Sequence, residues 1–314
     1  MKIYLVTANP RITKDQLREF NSLGDFKVIN ASKMGSKEVL SKISGVEILI
    51  AGSSGFEGLD EEIIKGLKDL KLITTLTVGM AWVDLEIAKK LKIPVCNIKG
   101  SNSESVAEHA WGMILDLAKR ISEFDRDARL KGAYKFGDYQ GKEVYGKTLG
   151  IIGLGDSGKR IARIAKGFNM KVIGMNKSGT KVKGVELVTL SKLLKESDVI
   201  SINVPLTEKT DKMIGKKEIE KMKDGAILVN VAREEVVDKK SVVGAVKSGK
   251  LHGYGIETEI MKPVKKSDAY LSHPRILVNP HNAFNTEDAE RLSFDVSIQN
   301  IKTFLKGKFS NRVV

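Results

Sequence analysis

At Thr148 the chain runs through a short strand pattern, TLGII, directly into Gly153-Leu154-Gly155-Asp156-Ser157-Gly158. A helical stretch, KRIARIAKGF, follows and ends near Asn169, before a second strand, KVIGM. A GxGxxG hexapeptide constrains little by itself. Placed between a strand and a helix it constrains a great deal, because each glycine then has a job. Gly153 permits the tight turn, Gly155 lets the backbone approach a pyrophosphate, and Gly158 lets the helix pack close to the sheet. The unpaired amides at the helix amino terminus face the phosphate charge. These residues predict a βαβ unit that binds a dinucleotide, with Gly153, Leu154, Gly155, Asp156, Ser157 and Gly158 as its cofactor loop. The unit lies mid-chain behind a complete α/β region, which favours a nicotinamide dinucleotide over a flavin.

The rest of the chain has the same rhythm. IYLVT, FKVIN, VEILIAG, LKLITTLT and IPVCNI read as short, nearly wholly apolar strands, with helices over ITKDQLREF, SKEVLSKI, LDEEIIKGL and VDLEIAKKL between them. Such alternation predicts a parallel sheet covered on both faces. A second set, DVISINV, GAILVNV, LHGYGI and RILVNP, follows the glycine loop, and 314 residues at 41% hydrophobic content suffice for two cores. Between the two sets, Ser103 to about Leu130 lacks proline and carries apolar groups at helical spacing. One long helix capped by Ser103 is predicted there, followed by a Gly- and Tyr-rich arm. Ligands of parallel sheets sit at the carboxyl ends of strands, which nominates Pro205, Asn230 to Arg233, Glu257 and His281.

Composition narrows the function classes. Lys and Arg number 53 against 39 Asp and Glu, a formal +14. The lysines alternate with acids in segments such as KKEIEKMKD, the pattern of a solvated helix face, so nucleic acid is not an expected partner. No apolar run is long enough to span a membrane, and MKIYLVTANP lacks the features of a leader, so a cytoplasmic protein without a membrane partner is expected. Cys96 is a lone thiol in an apolar strand. The four histidines form no metal-ligand spacing, and no metal is expected.

Several longer stretches resemble the D-isomer-specific 2-hydroxyacid dehydrogenases: LKLITTLTVGMAWVDL, IPVCNIKGSNSESVAEHA, GKTLGIIGLGDSGKRIARIAKGFNMKVIG, INVPLTEKT, MKDGAILVNVAR and VNPHNAFNTEDAE. The resemblance implies two Rossmann-like α/β domains with parallel sheets. Residues 1–100 and 287–314 would form a flavodoxin-like substrate domain, and residues 101–286 the dinucleotide-binding domain. It further implies a homodimer through the helix and arm after residue 103. The implied reaction is reduction of a small 2-oxoacid, of the glyoxylate or hydroxypyruvate class, to the D-2-hydroxyacid, and its reverse. Arg233 matches the arginine that grips the substrate carboxylate and carbonyl oxygen, and His281 matches the general acid. Val78 and Gly79 match the loop whose amides bind the carboxylate. Val204, Pro205, Thr210, Val231, Ala232 and His281 match positions that line the cofactor.

Four departures from the family pattern qualify this reading. The glutamate expected before Pro263 is Lys262, so Glu257, with Glu259 as the second candidate, is expected to support His281. Arg233 is followed by Glu234 in place of glycine. Thr77 and Ala81 stand where the family tends to have Gly and Asp. The strand after the glycine loop ends in Asn176, Lys177 and Ser178 with no acid at its tip. An acid there would hydrogen-bond the ribose of NAD and repel a 2′-phosphate, so NADP(H) is expected in preference to NAD(H). A phosphoglycerate dehydrogenase-like activity, or a weakly active dinucleotide sensor of the same fold, are the alternatives. Lys262 favours the sensor, whereas Arg233 and His281 oppose it.

Overall fold

The structure is a computed structural model that describes residues 1–132, 137, 140–258 and 265–314. Glu259, Lys262, Pro263 and residues 133–136 and 138–139 of the arm after the helical segment lie outside the described residues. The chain divides into two compact units, one made of Met1–Asn102 with Asn285–Val314 and the other of Ser103–Phe284.

The first unit is built on strands β1 (Lys2–Thr7), β2 (Asp25–Asn30), β3 (Ile48–Ala51), β4 (Leu72–Thr75) and β5 (Val95–Cys96) in the order β2-β1-β3-β4-β5. Every pairing among them is parallel, and the order is that of a flavodoxin-like sheet. Helices α1 (Lys14–Leu23), α2 (Ser36–Lys42), α3 (Glu61–Gly66) and α4 (Leu85–Lys90) connect the strands. Three of the four strand-to-helix entries carry a side-chain cap. Thr13 and Gln16 form a capping box on α1, and Asp60 and Asp84 accept amides at the starts of α3 and α4. One face of the sheet buries Ile3, Leu5, Ile48, Ile50 and Leu72 against Phe20 of α1. The same cluster takes Phe294, Ile298 and Ile301 from the last helix, Glu287–Leu305.

The second unit opens with a correction. The helical segment after Ser103 is two helices, α5 (Ser103–Lys119) and α6 (Ile121–Lys131), because Arg120 takes a left-handed backbone with φ 58°. Periodicity alone does not disclose this break. Asp116 imposes it: its carboxylate accepts both the amide and the hydroxyl of Ser122 at 2.6 Å, restarting the helix, while Arg120 pairs with Glu123. The sheet contains β6 (Thr148–Ile152), β7 (Lys171–Met175), β8 (Glu186–Leu187), β9 (Val199–Ile202), β10 (Ala226–Asn230), β11 (Leu251–Glu257) and β12 (Ile276–Asn279). Its order is β12-β11-β10-β9-β6-β7-β8, with all pairings parallel. The order reverses beside β6, the switch point of a doubly wound Rossmann-like sheet. Helices α7 (Asp156–Ala165), α8 (Leu190–Glu196), α9 (Lys216–Lys221) and α10 (Lys239–Lys247) complete this unit.

Candidate active site

The glycine loop joins β6 to α7 at the switch point. Gly153 has φ 97°, and a side chain there would meet the Asn203 carbonyl oxygen at 2.7 Å. At Gly158 it would meet the Gly153 carbonyl oxygen at 2.1 Å. A Cβ at Gly155, the residue that caps α7 without any side-chain hydrogen bond, would point into open space. A cradle closed behind and open in front, at an uncapped helix amino terminus, fits the pyrophosphate of a dinucleotide. At the end of β7, the Asn176 amide donates to the Thr180 carbonyl at 2.9 Å, and the Ser178 hydroxyl meets that of Thr180 at 2.8 Å. The turn is thereby closed with Lys177 exposed. After β9, Thr210 donates to the Pro205 carbonyl at 2.6 Å and receives the Thr207 amide, which fixes the loop that Val204 enters.

Arg233 lies three residues beyond β10, in a loop shaped by the fully buried Asn230. The Asn230 side-chain oxygen accepts the Ala232 amide at 3.0 Å, and its nitrogen donates to the Arg233 carbonyl at 2.7 Å. Val231 and Ala232 are bridged by this clip. The Arg233 guanidinium is half-buried and donates to the Ala232 carbonyl at 2.8 Å. Glu234, the departure from glycine, faces Lys239 at 3.5 Å; Lys239 also pairs with Asp268 at 2.7 Å and lies over the Tyr270 ring. Glu234 is thus part of a local charge network.

His281 follows β12 with its ring half-buried beside Phe284, at a centroid separation of 5.6 Å, and its φ is 49°. Glu257 ends β11, with its side chain only 2% exposed. One carboxylate oxygen accepts the Ala283 amide at 2.8 Å; the other lies 2.9 Å from Nε2 of His109 on α5, a close ion-pair contact rather than an aligned hydrogen bond. Burial pushes the Glu257 carboxyl up. The His109 contact and the Ala283 and Asn282 amides outweigh it and hold the group below the ordinary glutamate range. Glu257 therefore grips the backbone just after His281. Sequence reasoning missed His109 and Ser105, which lie inside the SVAEHA stretch. The signal was an acid at the end of the otherwise uncharged, wholly buried strand LHGYGIE, which demands a cation or donors.

In the first unit, Val78 and Gly79 are exposed on the loop after β4. Thr77, another departure, is built into that loop: its hydroxyl accepts the Trp82 indole N–H at 2.9 Å and donates to the Gly79 carbonyl at 2.8 Å. Asn97 donates to the Val78 carbonyl at 3.1 Å. Among the described residues, no group of three or more His, Cys, Asp or Glu is arranged to hold a metal ion, and no helix is long and apolar enough to cross a membrane.

Comparison with known proteins agrees with this geometry. The family model for the D-isomer specific 2-hydroxyacid dehydrogenase NAD binding domain matches residues 111–283. A glyoxylate reductase of Korarchaeum cryptofilum is 32% identical over 286 residues, 88% of this chain and 85% of that protein. A hydroxypyruvate reductase of Thermotoga maritima is 33% identical over 294 residues, 93% and 95% of the two chains. Among solved structures, an acyclic imino acid reductase in complex with NADPH and D-Arg superposes with a TM-score of 0.87 at 27% identity, over the whole of both chains. The chain belongs to the D-isomer specific 2-hydroxyacid dehydrogenase family. Its activity is the NAD(P)-dependent interconversion of a 2-oxoacid and a 2-hydroxyacid.

Proposed function

We propose that the chain is a cytoplasmic, homodimeric reductase that converts glyoxylate or hydroxypyruvate to the D-2-hydroxyacid and prefers NADPH to NADH. The observation that carries the catalytic part is the carboxyl edge of the second unit's sheet. The glycine loop, Arg233 and His281 all follow carboxyl ends of its parallel strands, and Asn230 and Glu257 hold the two loops by their backbones. The named relatives supply the substrate class.

A nicotinamide dinucleotide, when bound, would supply the hydride that the substrate's carbonyl carbon accepts. Gly153, Gly155 and Gly158, with the amino terminus of α7, would hold its pyrophosphate. Val78 and Gly79 offer backbone amides to the substrate carboxylate. Arg233 grips that carboxylate and the carbonyl oxygen, because a planar guanidinium presents several fixed donors and so both orients the acid and polarises the C=O bond. The carbonyl oxygen takes a proton from the His281 imidazole, which keeps charge from accumulating there; in the oxidative direction His281 takes the proton back.

The NADPH preference rests on the β7 tip, where Asn176, Lys177 and Ser178 offer a neutral amide, a cation and a hydroxyl, and no carboxylate repels a 2′-phosphate. The test is steady-state oxidation of NADPH and of NADH with glyoxylate, hydroxypyruvate, pyruvate, 3-phosphohydroxypyruvate and an imino acid. Glyoxylate or hydroxypyruvate with NADPH should give the highest kcat/KM, and Asn176→Asp should weaken the use of NADPH more than that of NADH. A clear NADH preference in the native protein overturns the cofactor reading; fastest turnover of any other acid overturns the substrate reading.

A further inference from the structure

Ser105 and His109 stand four residues apart on α5 and so share one face of that helix. Ser105 meets the segment that carries His281 directly, and His109 meets it through Glu257. The Ser105 hydroxyl donates to the Ala283 carbonyl at 2.5 Å, and the Ala283 amide donates to Glu257, whose second oxygen lies 2.9 Å from His109 Nε2. Ala283 is therefore held at both of its polar backbone atoms, two residues beyond His281. His281 itself has φ 49°, a conformation that a residue bearing a side chain keeps only where its surroundings hold it. A glutamate only 2% exposed cannot grip an amide as an anion without compensation, and the His109 imidazole, 2.9 Å from its second oxygen, is the side chain set against it.

We propose that Ser105, His109 and Glu257 form a clamp on the Pro280–Phe284 loop, and that Ser105 and His109 are positioning residues for the reaction. They act through Ala283 to present the His281 imidazole in one orientation. This proposal rests on the reading of His281 as the general acid. The rival is that the His109–Glu257 pair only satisfies a buried charge; removing it would then lower stability without a selective effect on turnover.

The test uses the full chain with NADPH and whichever of glyoxylate and hydroxypyruvate it turns over faster. It compares His109→Leu, His109→Gln, Ser105→Ala, His281→Ala and the His109→Leu/His281→Ala double variant. Misplacing a catalytic group by about an ångström costs on the order of 100-fold, so His109→Leu should lower kcat by about that factor while the NADPH dissociation constant stays within about twofold. His109→Gln, whose amide nitrogen reaches the place of imidazole Nε2, should recover most of kcat. Ser105→Ala should lose several-fold. In the cofactor-free protein, hydrogen exchange in the 280–284 segment should accelerate in His109→Leu and Ser105→Ala, and His109→Leu should add no loss of turnover on top of His281→Ala. Native-like turnover in His109→Leu or Ser105→Ala, alongside an inactive His281→Ala, overturns the clamp and leaves the acid in place. An equal loss in His109→Leu and His109→Gln also overturns it. If His109→Leu does not fold, Ser105→Ala and His109→Gln decide by the same criteria. Native-like turnover in His281→Ala instead overturns the reading on which the clamp rests.

Discussion

The two edges of the second unit's sheet use their polar side chains in opposite ways. At the amino edge, Lys142, Lys147, Asp198, Lys223, Asp224 and Gly225 help line an open hollow of about 440 Å³, room enough for a small ligand. Its two aspartates are already matched: Asp198 takes Lys223 at 2.9 Å and the Thr148 amide at 2.8 Å, and Asp224 takes Lys250 at 2.7 Å. At the carboxyl edge, Asn230 and Glu257 are spent on loop backbone, which leaves a half-buried guanidinium at Arg233 and a half-buried imidazole at His281 on the same edge of the sheet as the glycine loop. The size of a hollow is thus a poor guide to chemistry in this molecule. Where buried polar groups fix loops, reactive side chains gain a defined orientation.

Three substitutions should separate the two edges. Arg233→Gln, at the carboxyl edge, should lower kcat/KM on the order of a thousandfold with little change in the melting temperature, since the proposed role gives this guanidinium two charge-assisted contacts to substrate. Native-like kcat/KM would show that the carboxyl edge is not where the substrate is held.

His252, on β11 near the amino edge, should affect stability instead. Burial first, then the positive charges of Lys142 and Arg275, push its imidazole down to about 4. The unfolded chain takes up this proton near the ordinary histidine value and the folded chain only near 4. The unfolded state therefore binds more protons across that window, and stability falls as pH drops through it, by about 3 kcal/mol for this one group. Urea unfolding from pH 7 to pH 4 should show a shallower acid limb in His252→Asn than in the native protein, with kcat at pH 7 little changed. Identical limbs would count against the assignment.

Lys223→Ala is the smallest effect. Both partners of its ion pair are substantially solvated, with side chains 40% and 32% exposed, so the loss should stay within about 1 kcal/mol, with turnover unaltered. A large loss of activity would place function at the amino edge after all.

The sheets and the cradle were legible in the sequence because they rest on local signals. Apolar runs such as VEILIAG mark strands, and a GxGxxG between strand and helix restricts the turn to one geometry. Arg233 and His281 were nominated from strand ends. What the residues did not disclose depends on side-chain partners that apolar periodicity and motif matching do not register. Glu257 meets a histidine 148 positions earlier. The break at Arg120 follows from a carboxylate reaching forward to Ser122, which apolar periodicity does not register. Thr77 and Glu234 depart from the family pattern, yet each is tied into its own surroundings, Thr77 by Gly79 and Trp82 and Glu234 by Lys239.

The first unit draws one helix of its core from beyond the second unit: Phe294, Ile298 and Ile301 cover Ile3, Leu5, Ile48, Ile50 and Leu72. During synthesis at roughly 5 to 20 residues per second, the five strands of the first unit emerge and then wait roughly 10 to 40 s for that helix, while residues 103–284 are made and can fold independently. For that interval the part of this sheet face that α1 and its Phe20 do not cover stands exposed on the nascent chain, with its Ile and Leu side chains. It is the face that a chaperone would shield, and the one through which newly made chains would aggregate.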